Sequence, residues 1–166
     1  MQRVLVIGSP GAGKSTLAHK LADRTGLPLV HLDQMHWLPG WVERDRDEGR
    51  AELARVLARD RWIIDGNYGS ILPMRLERAD TVIWLDYPTS LCLKRVITRW
   101  WHHRGHTRPD MTEGCPEHLS LEFFHYVLTF RKAWRARNAA ALERFGGEVV
   151  RLGTRAQTEA WLARRF

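Results

Sequence analysis

Residues Gly8–Ser15 spell GSPGAGKS, which fits the pattern G-x-x-x-x-G-K-[ST] in full. The stretch directly follows the apolar run QRVLVIG (2–8) and directly precedes KSTLAHKLADRTG (14–26), whose apolar residues recur at helical spacing. A strand that passes through a glycine loop into a helix gathers backbone N–H groups into a nest, and the helix adds the positive end of its dipole. The stretch therefore predicts a loop that binds nucleotide phosphates, and it predicts the first strand and helix of the fold.

The rest of the chain alternates short apolar runs with amphipathic stretches. The patterns predict strands at 27–32, 61–66, 79–88 and 148–153, helices at 46–60, 70–78, 90–103, 119–145 and 157–166, and loops at 34–44 and 104–118. Strands and helices that alternate without repeats or linkers are typical of a parallel α/β sheet. We expect one domain over residues 1–166, with helices on both faces of the sheet.

The composition limits the location and the partners of the protein. The net charge is +7 and comes mostly from arginine, which suits either nucleic acid or a small polyphosphate. No apolar run reaches the roughly 18 residues of a membrane span, and the first apolar stretch is too short for a signal peptide. Cys92 and Cys115 make no disulfide framework. The sequence predicts a cytoplasmic protein with reduced thiols and no membrane partner.

The loop predicts individual ligand contacts. Lys14 is expected to reach the outer phosphates of ATP, and the hydroxyl of Ser15 is expected to bind Mg²⁺. The chain lacks the N-K-x-D motif with which switch GTPases bind their base, and motors usually need a longer chain. The residues predicted to contact the nucleotide here are Gly8, Ser9, Pro10, Gly11, Ala12, Gly13, Lys14, Ser15 and Thr16.

Four stretches, in the same order along the chain, resemble adenylate kinase and related small P-loop kinases. They are GSPGAGKS, WIIDG (62–66), LKRVITRWW (93–101) and RLGTRAQ (151–157). The resemblance implies a P-loop NTPase three-layer sandwich with a five-stranded parallel sheet in the order 2-3-1-4-5. It also implies a cofactor pair of ATP and Mg²⁺.

The same resemblance assigns roles to single residues. Asp65 corresponds to a carboxylate beside the magnesium ion, although an aspartate at a strand end can also be an ordinary turn residue. Arg95 and Arg99 correspond to two arginines that contact the nucleotide, and their i, i+4 spacing is also compatible with a solvated basic stripe. Gly153 and Thr154 correspond to a loop whose backbone lies against the adenine.

A closer resemblance is to the bacterial group named "DNA topology modulation protein". It rests on short blocks: HLD (31–33), WIIDGNY (62–68), RLERADT (75–81), TRPDM (107–111) and EGCPE (113–117). The group name suggests DNA, whereas the motifs suggest a kinase, and the motifs carry a chemical mechanism.

Residues 102–118 are predicted to form a short lid that is mobile without ligand and excludes water when closed. Arg104 and Arg108 in the lid, and Arg131 and Arg135 at i, i+4 on the returning helix, are candidates to stabilise the transferring phosphate. Zinc at His102, His106, Cys115 and His118 is not favoured, because the spacing matches no common zinc site. Nonspecific nucleic-acid binding through RWWHHRGHTR (99–108) is possible but also not favoured.

Asp33 is the candidate residue for the acceptor. In adenylate kinase the Asp-Gly of the third strand precedes an arginine that holds the acceptor's phosphate, but here Asn67, Tyr68 and Gly69 follow instead. Arg75 is a possible replacement. The sequence therefore predicts an adenylate-kinase-like phosphotransferase acting on a nucleoside monophosphate or related acceptor. One alternative is a hydroxyl kinase in which Asp33 is the base. A second alternative is a nucleic-acid-binding protein that binds ATP. If Asp33 is not a base, it is an ordinary turn or helix-capping residue.

Overall fold

A computed structural model describes residues 1–166. The strands, in chain order, are β1 (Arg3–Gly8), β2 (Leu29–His31), β3 (Trp37–Leu38), β4 (Val42–Glu43), β5 (Trp62–Asp65), β6 (Thr81–Leu85) and β7 (Glu148–Leu152). The helices are α1 (Lys14–Thr25), α2 (Leu32–His36), α3 (Arg46–Leu57), α4 (Leu72–Leu76), α5 (Thr89–His103), α6 (Leu121–Glu143) and α7 (Arg155–Arg165). None of these helices combines the length and the apolarity needed to cross a membrane.

Five strands form the central sheet, and all of its pairings are parallel. The spatial order is β2-β5-β1-β6-β7, while β3 and β4 form a separate antiparallel hairpin. When only the five sheet strands are counted along the chain, this order is 2-3-1-4-5. The predicted fold is confirmed, and the hairpin is an addition to it.

The two faces of the sheet bury separate cores, because successive side chains of a strand point in opposite directions. On β1, Val4 and Val6 join one core with α1 and α7, whereas Leu5 and Ile7 join the other with α3. Both faces of β1 are thereby packed against helices. This arrangement holds the loop that follows Gly8 in a rigid frame.

The predicted loop at 34–44 is wrong in part. Residues 32–36 form α2, and the β3–β4 hairpin follows, with a turn at Pro39 and Gly40. The prediction failed because one helical turn and two-residue strands are too short to show a periodic pattern. The burial of Leu32 and Met35 against the second core stabilises α2 instead.

The lid segment between α5 and α6 packs on the β3–β4 hairpin. Gly40 N–H donates to the carbonyl of Gly114 at 2.9 Å, and Trp41 Nε1 donates to the carbonyl of Pro116 at 3.1 Å. Thr112 Oγ1 donates to the carbonyl of Trp37 at 2.6 Å. The lid therefore lies over the hairpin, and α5 extends to His103, two residues into the predicted lid.

Candidate active site

The phosphate loop connects β1 to α1, and its conformation depends on glycine. Gly11 has φ of +79°, and a Cβ there would collide with the carbonyl of Cys92 on α5. Lys14 opens α1, and its Nζ donates to the carbonyls of Gly8 and Ser9 at 2.9 and 3.1 Å. Of the nine predicted loop residues, those from Pro10 to Thr16 line a cavity of about 1330 Å³, whereas Gly8 and Ser9 do not.

Burial lowers the pKa of Lys14, and two carboxylates act against this effect. Asp33 raises the pKa more strongly than Asp65 does. Lys14 thus lies between the phosphate loop and two acidic groups that come from different elements, Asp33 from α2 and Asp65 from β5. The cavity is larger than the roughly 300–1,000 Å³ typical of one small ligand, which leaves room for a nucleotide and a second molecule.

Asp65 lies at the end of β5, in register with His31 on β2. The two side chains are buried, and His31 Nδ1 is 2.6 Å from Asp65 Oδ1. Burial lowers the pKa of His31, but the hydrogen bond and the charge of Asp65 outweigh it and raise that pKa overall. Because the imidazole holds only Oδ1, the other carboxylate oxygen can serve a ligand in the cavity.

Asp65 and Ser15 both line the cavity and supply the hard oxygen donors that Mg²⁺ prefers. No group of three His, Cys, Asp or Glu side chains forms a protein cage for a metal ion. The donors present fit Mg²⁺, which characteristically keeps several waters and is held by one or two carboxylates together with the phosphates of a nucleotide.

A lid carboxylate, Asp110, comes to the same place. It accepts hydrogen bonds from Arg108 Nη1 at 3.0 and 2.9 Å. Burial raises the pKa of Asp110, but the charge of Arg108 and a hydrogen bond from Ser15 lower it overall. The lid thus reaches the phosphate loop directly. Asp110 was not a predicted site residue, and it was noted only as part of the predicted lid and of the TRPDM block.

Two arginines that line the cavity converge on a second lid carboxylate. Glu117 is 7% exposed, and its oxygens accept from Arg99 Nε at 2.9 Å and Arg108 Nε at 2.6 Å. The pKa of Arg99 is lowered by burial and by the nearby charge of Arg108, while Glu117 acts in the opposite direction. Glu117 was not predicted, and it holds the two guanidinium groups side by side.

Arg95 lies beside the phosphate loop, where its Nη1 donates to the carbonyl of Ala12 at 3.2 Å. Its guanidinium carbon lies 5.2 Å from the ring centroid of Tyr87, so the guanidinium group stacks on this ring. Arg95 and Arg99 both line the cavity and are partly buried, and their contact with the nucleotide stays a prediction.

The structure does not bring Arg131 and Arg135 to the cavity. Their Nε atoms donate to Asp86 Oδ1 and Oδ2 at 3.1 and 3.0 Å, and Arg151 binds the same carboxylate. The predicted cage around the transferring phosphate is therefore wrong for this arrangement, because both guanidinium groups are bound to Asp86. Arg104 is also outside the cavity and stacks on Trp100.

Gly153 and Thr154 shape the end of the cavity without lining it. Gly153 N–H donates to Gln157 Oε1 at 2.7 Å, and Thr154 Oγ1 caps α7 by accepting from Gln157 N–H at 3.1 Å. Four side chains of α7 line the cavity instead: Arg155, Thr158, Glu159 and Leu162.

Asp33 lies on α2 at the cavity and is half-buried. Its Oδ1 accepts from the hydroxyl of Tyr68 at 2.8 Å, and Oδ2 has no protein hydrogen-bond partner. Burial and Asp33 together raise the pKa of Tyr68, and the same two causes raise that of Tyr126 to about 12. Asp33 thus faces Lys14 on one side and two phenols on the other.

Aromatic side chains line the cavity together with Asp33. Trp37 and Trp41 lie 5.4 Å apart by ring centroids, and Phe123 lies 6.4 Å from Tyr126. Gly69 follows Tyr68, and a Cβ there would collide with the indole of Trp134. We call this surface the aromatic wall; its members are Trp37, Trp41, Tyr68, Phe123, Tyr126 and Trp134.

Arg75, the possible replacement for a phosphate-binding arginine, does not serve that role. It is fully buried, and its guanidinium donates to the carbonyls of Gly66, Asn67 and Tyr68. Burial lowers its pKa to about 10. Arg75 therefore holds the turn that presents Tyr68, and it is not available to an acceptor.

Comparison with known proteins decides the family. A sequence model of the ATPase family associated with various cellular activities (AAA) matches residues 4–95, which is more than half of the chain. The chain belongs to this family. The match includes the phosphate loop, Asp33, Asp65 and Arg95, and it ends before the lid.

Relatives of this AAA-family chain include adenylate kinases at low identity. The adenylate kinase of Mycobacterium leprae (strain Br4923) is 29% identical over 106 residues, which cover 62% of this chain and 57% of that protein. The adenylate kinase of Mesorhizobium japonicum is 27% identical over 106 residues, covering 62% of this chain and 52% of that protein. The chain therefore spans little more than half the length of these two relatives.

Solved structures share the fold over nearly the whole chain. Shikimate kinase from Acinetobacter baumannii, in complex with shikimate, aligns with a TM-score of 0.61 at 16% identity and covers 99% of this chain and 90% of that one. A gluconokinase from Sinorhizobium meliloti 1021 aligns with a TM-score of 0.53 at 17% identity, covering 99% and 93%. At these identities the likeness shows the fold of P-loop kinases and nothing finer.

Proposed function

We propose that the protein is an ATP-dependent phosphotransferase that transfers the γ-phosphate of MgATP to a hydroxyl group of a small molecule. The observation that carries the proposal is the position of Asp33 between Lys14 and the aromatic wall. A carboxylate there lies next to the phosphate end of the cavity, and its Oδ2 has no protein partner.

In the proposed reaction the acceptor oxygen forms a bond to the γ-phosphorus, while the bond from that phosphorus to the β–γ bridging oxygen breaks. The electron pair of the broken bond leaves with ADP, and the hydroxyl proton moves to Asp33 Oδ2. Mg²⁺, held by Ser15 and Asp65, would neutralise charge on the phosphates. Lys14, Arg95, Arg99 and Arg108 provide the cations that line the phosphate end.

A nucleoside monophosphate is the second candidate acceptor, and the adenylate kinase relatives favour it. A phosphate acceptor is already ionised, so it needs cations and no base. The burial of Arg75 under the turn that carries Tyr68 removes the nearest candidate cation from this end of the cavity. The hydroxyl acceptor therefore fits the site better.

The test is Asp33→Asn, which keeps the shape of the side chain but removes the base. Wild-type protein is first screened with MgATP against nucleosides, sugars and nucleoside monophosphates by ADP release. With a hydroxyl acceptor, the variant should lose at least about a hundredfold in kcat while its affinity for ATP stays the same. Asp60→Asn, on an exposed turn before β5, is the matched control and should behave as wild type.

Full activity of Asp33→Asn on a nucleoside monophosphate would replace the hydroxyl acceptor with the second candidate. No ADP release with any member of the screen would overturn the kinase proposal itself. A titration of DNA binding against salt belongs in the same experiment, because nucleic-acid binding would weaken steeply as the salt concentration rises.

A further inference from the structure

Asp33 and the six aromatic side chains of the aromatic wall line the same cavity, and none of the arginines that line it stacks on a ring of the wall. The arginines and lysines that line the cavity are engaged elsewhere. Lys14 donates to its own loop, Arg95 donates to Ala12, and Arg99 and Arg108 bind Glu117. Arg155 pairs with Glu159 on α7, and the charge of Lys20 acts on the same carboxylate. Arg137 stacks on Trp134 but does not line the cavity.

This arrangement disfavours an anionic acceptor. A carboxylate or phosphate on the acceptor would lose water next to aromatic rings, and the nearest charge would be Asp33, which repels it. A cationic acceptor is also disfavoured, because the charge of Asp33 already faces Lys14 and its Oδ1 is held by Tyr68.

We propose that the acceptor is an uncharged, ring-bearing alcohol whose flat face stacks on the aromatic wall while one hydroxyl reaches Asp33. The proposal rests on the phosphotransferase function above and names its substrate class. Aromatic rings bind the C–H face of a sugar and the face of a nucleobase alike, so a neutral sugar and a nucleoside share the required chemistry.

Trp134 and Tyr126 are the members of the aromatic wall best suited to test whether the acceptor stacks on it. Both lie on α6, where Phe130 stacks on Trp134 with centroids 5.9 Å apart and packs edge-on against Tyr126 at 5.4 Å. Tyr126 is 39% exposed, so its ring can be removed without opening the core. The rings are supported from behind and present a surface to the cavity.

The experiment measures binding without turnover, by titration calorimetry on protein saturated with a non-hydrolysable MgATP analogue. The probes are matched sets that differ in charge: adenosine with AMP, and glucose with glucuronate and glucosamine. We expect at least one uncharged member to bind about tenfold or more tightly than the charged members of its own set. Binding by adenosine points to nucleosides, and binding by glucose points to sugars.

Variants of the wall then identify where the ring binds. Tyr126→Leu and Trp134→Leu should each weaken the uncharged member at least about tenfold, as expected for the loss of a stacked ring. Tyr126→Phe keeps the ring and should bind as wild type. Trp101→Leu, at a side chain that is 70% exposed and outside the cavity, is the matched control. Circular dichroism and thermal melting establish that each variant is folded.

Three results would overturn the proposal: tighter binding of a charged member, no binding of any uncharged member at millimolar concentration, or unchanged binding in both leucine variants. The test is separate from that of the phosphotransferase function. A protein that binds the uncharged members but transfers no phosphate would retain this acceptor class and overturn the proposed transfer.

Discussion

Lys14 has its only hydrogen bonds in the phosphate loop, to Gly8 and Ser9, so its side chain supports no core packing. We predict that Lys14→Ala stays folded and loses at least about a hundredfold in phosphoryl transfer, because the cation that faces the phosphates is removed. Steady-state ADP release and thermal melting measure the two effects separately. Lys94→Ala, at an exposed position on α5, is the control and should keep full activity.

Unchanged turnover in Lys14→Ala would contradict the assignment of Lys14. A loss of turnover that comes with a lowered melting temperature would show instead that the side chain is structural. The two outcomes can be distinguished because the side chain of Lys14 lines the cavity and belongs to neither hydrophobic core.

The candidate site residues that could be assigned from the sequence alone are those that belong to a contiguous motif. Lys14 and Ser15 follow from eight consecutive letters, and their geometry is set by the strand and the helix that flank them. Glu117, Asp110 and Tyr68 were missed as site residues because each acts through a partner far away in the chain, and no local pattern encodes such pairs. Arg131 and Arg135 were misassigned for the same reason: helical spacing showed that they share a face, but not that Asp86 faces it.

The lid is held to the rest of the protein by Glu117, which pairs with Arg99 of α5 and Arg108 of the lid itself. We predict that Glu117→Gln loosens the lid, because it leaves two guanidinium groups next to each other without the carboxylate that attracts both. Hydrogen exchange of residues 104–117 should become about tenfold faster or more, while exchange in the central sheet stays the same.

Glu113→Gln is the matched control for this change, since Glu113 is an exposed glutamate of the same segment without a salt bridge. Equal exchange in the two variants would show that the lid is held by its contacts with the β3–β4 hairpin alone.

Among the elements, the long periodic segments were predicted and the short ones were not. The helices α1, α3, α5 and α6 each contain at least three turns, so the apolar face repeats often enough to be recognised. The hairpin strands have two residues each, and what stabilises them is the lid lying across them, which no local pattern contains.

Asp86 links three parts of the molecule, because it follows β6 and binds Arg131 and Arg135 of α6 and Arg151 of β7. Burial raises the pKa of Asp86, but the hydrogen bonds from Arg151 and Arg131 lower it overall. A carboxylate whose pKa is lowered in the folded state stabilises the fold fully at pH values above its unfolded pKa of about 3.9. This stabilisation is lost as the pH falls through the folded pKa.

We predict that Asp86→Asn lowers the free energy of unfolding by about 1–3 kcal/mol at pH 7, and that the difference from wild type narrows as the pH falls below about 3.9. The arginine side chains are 36–49% exposed, so solvent screening keeps the effect below that of a fully buried pair. Urea unfolding at several pH values measures it. The control is Glu159→Gln, which removes an exposed ion pair and should leave the free energy of unfolding unchanged.

If Asp86→Asn lowers the free energy of unfolding equally at pH 7 and pH 3, the ionic role of Asp86 is contradicted.

The whole fold was predictable because the central strands β1, β5 and β6 are buried on both faces and the strands follow one another at the spacing of a βαβ unit. The two cores confirm that expectation, with β1 contributing alternate side chains to each. The strand order itself came from the family resemblance, since alternation alone permits several orders.

The β3–β4 hairpin receives the lid mostly through its own backbone: the carbonyls of Trp37 and Leu38 and the N–H of Gly40 make three of the contacts. Backbone groups are the same whatever side chain is attached to them. The side chains of Trp37 and its neighbours are therefore free to diverge while the lid continues to dock. Under the proposed function, mutations at this hairpin could exchange one acceptor for another without changing the contacts that dock the lid. The hairpin is therefore the place to vary the side chains when the acceptor specificity of the proposed enzyme is redesigned.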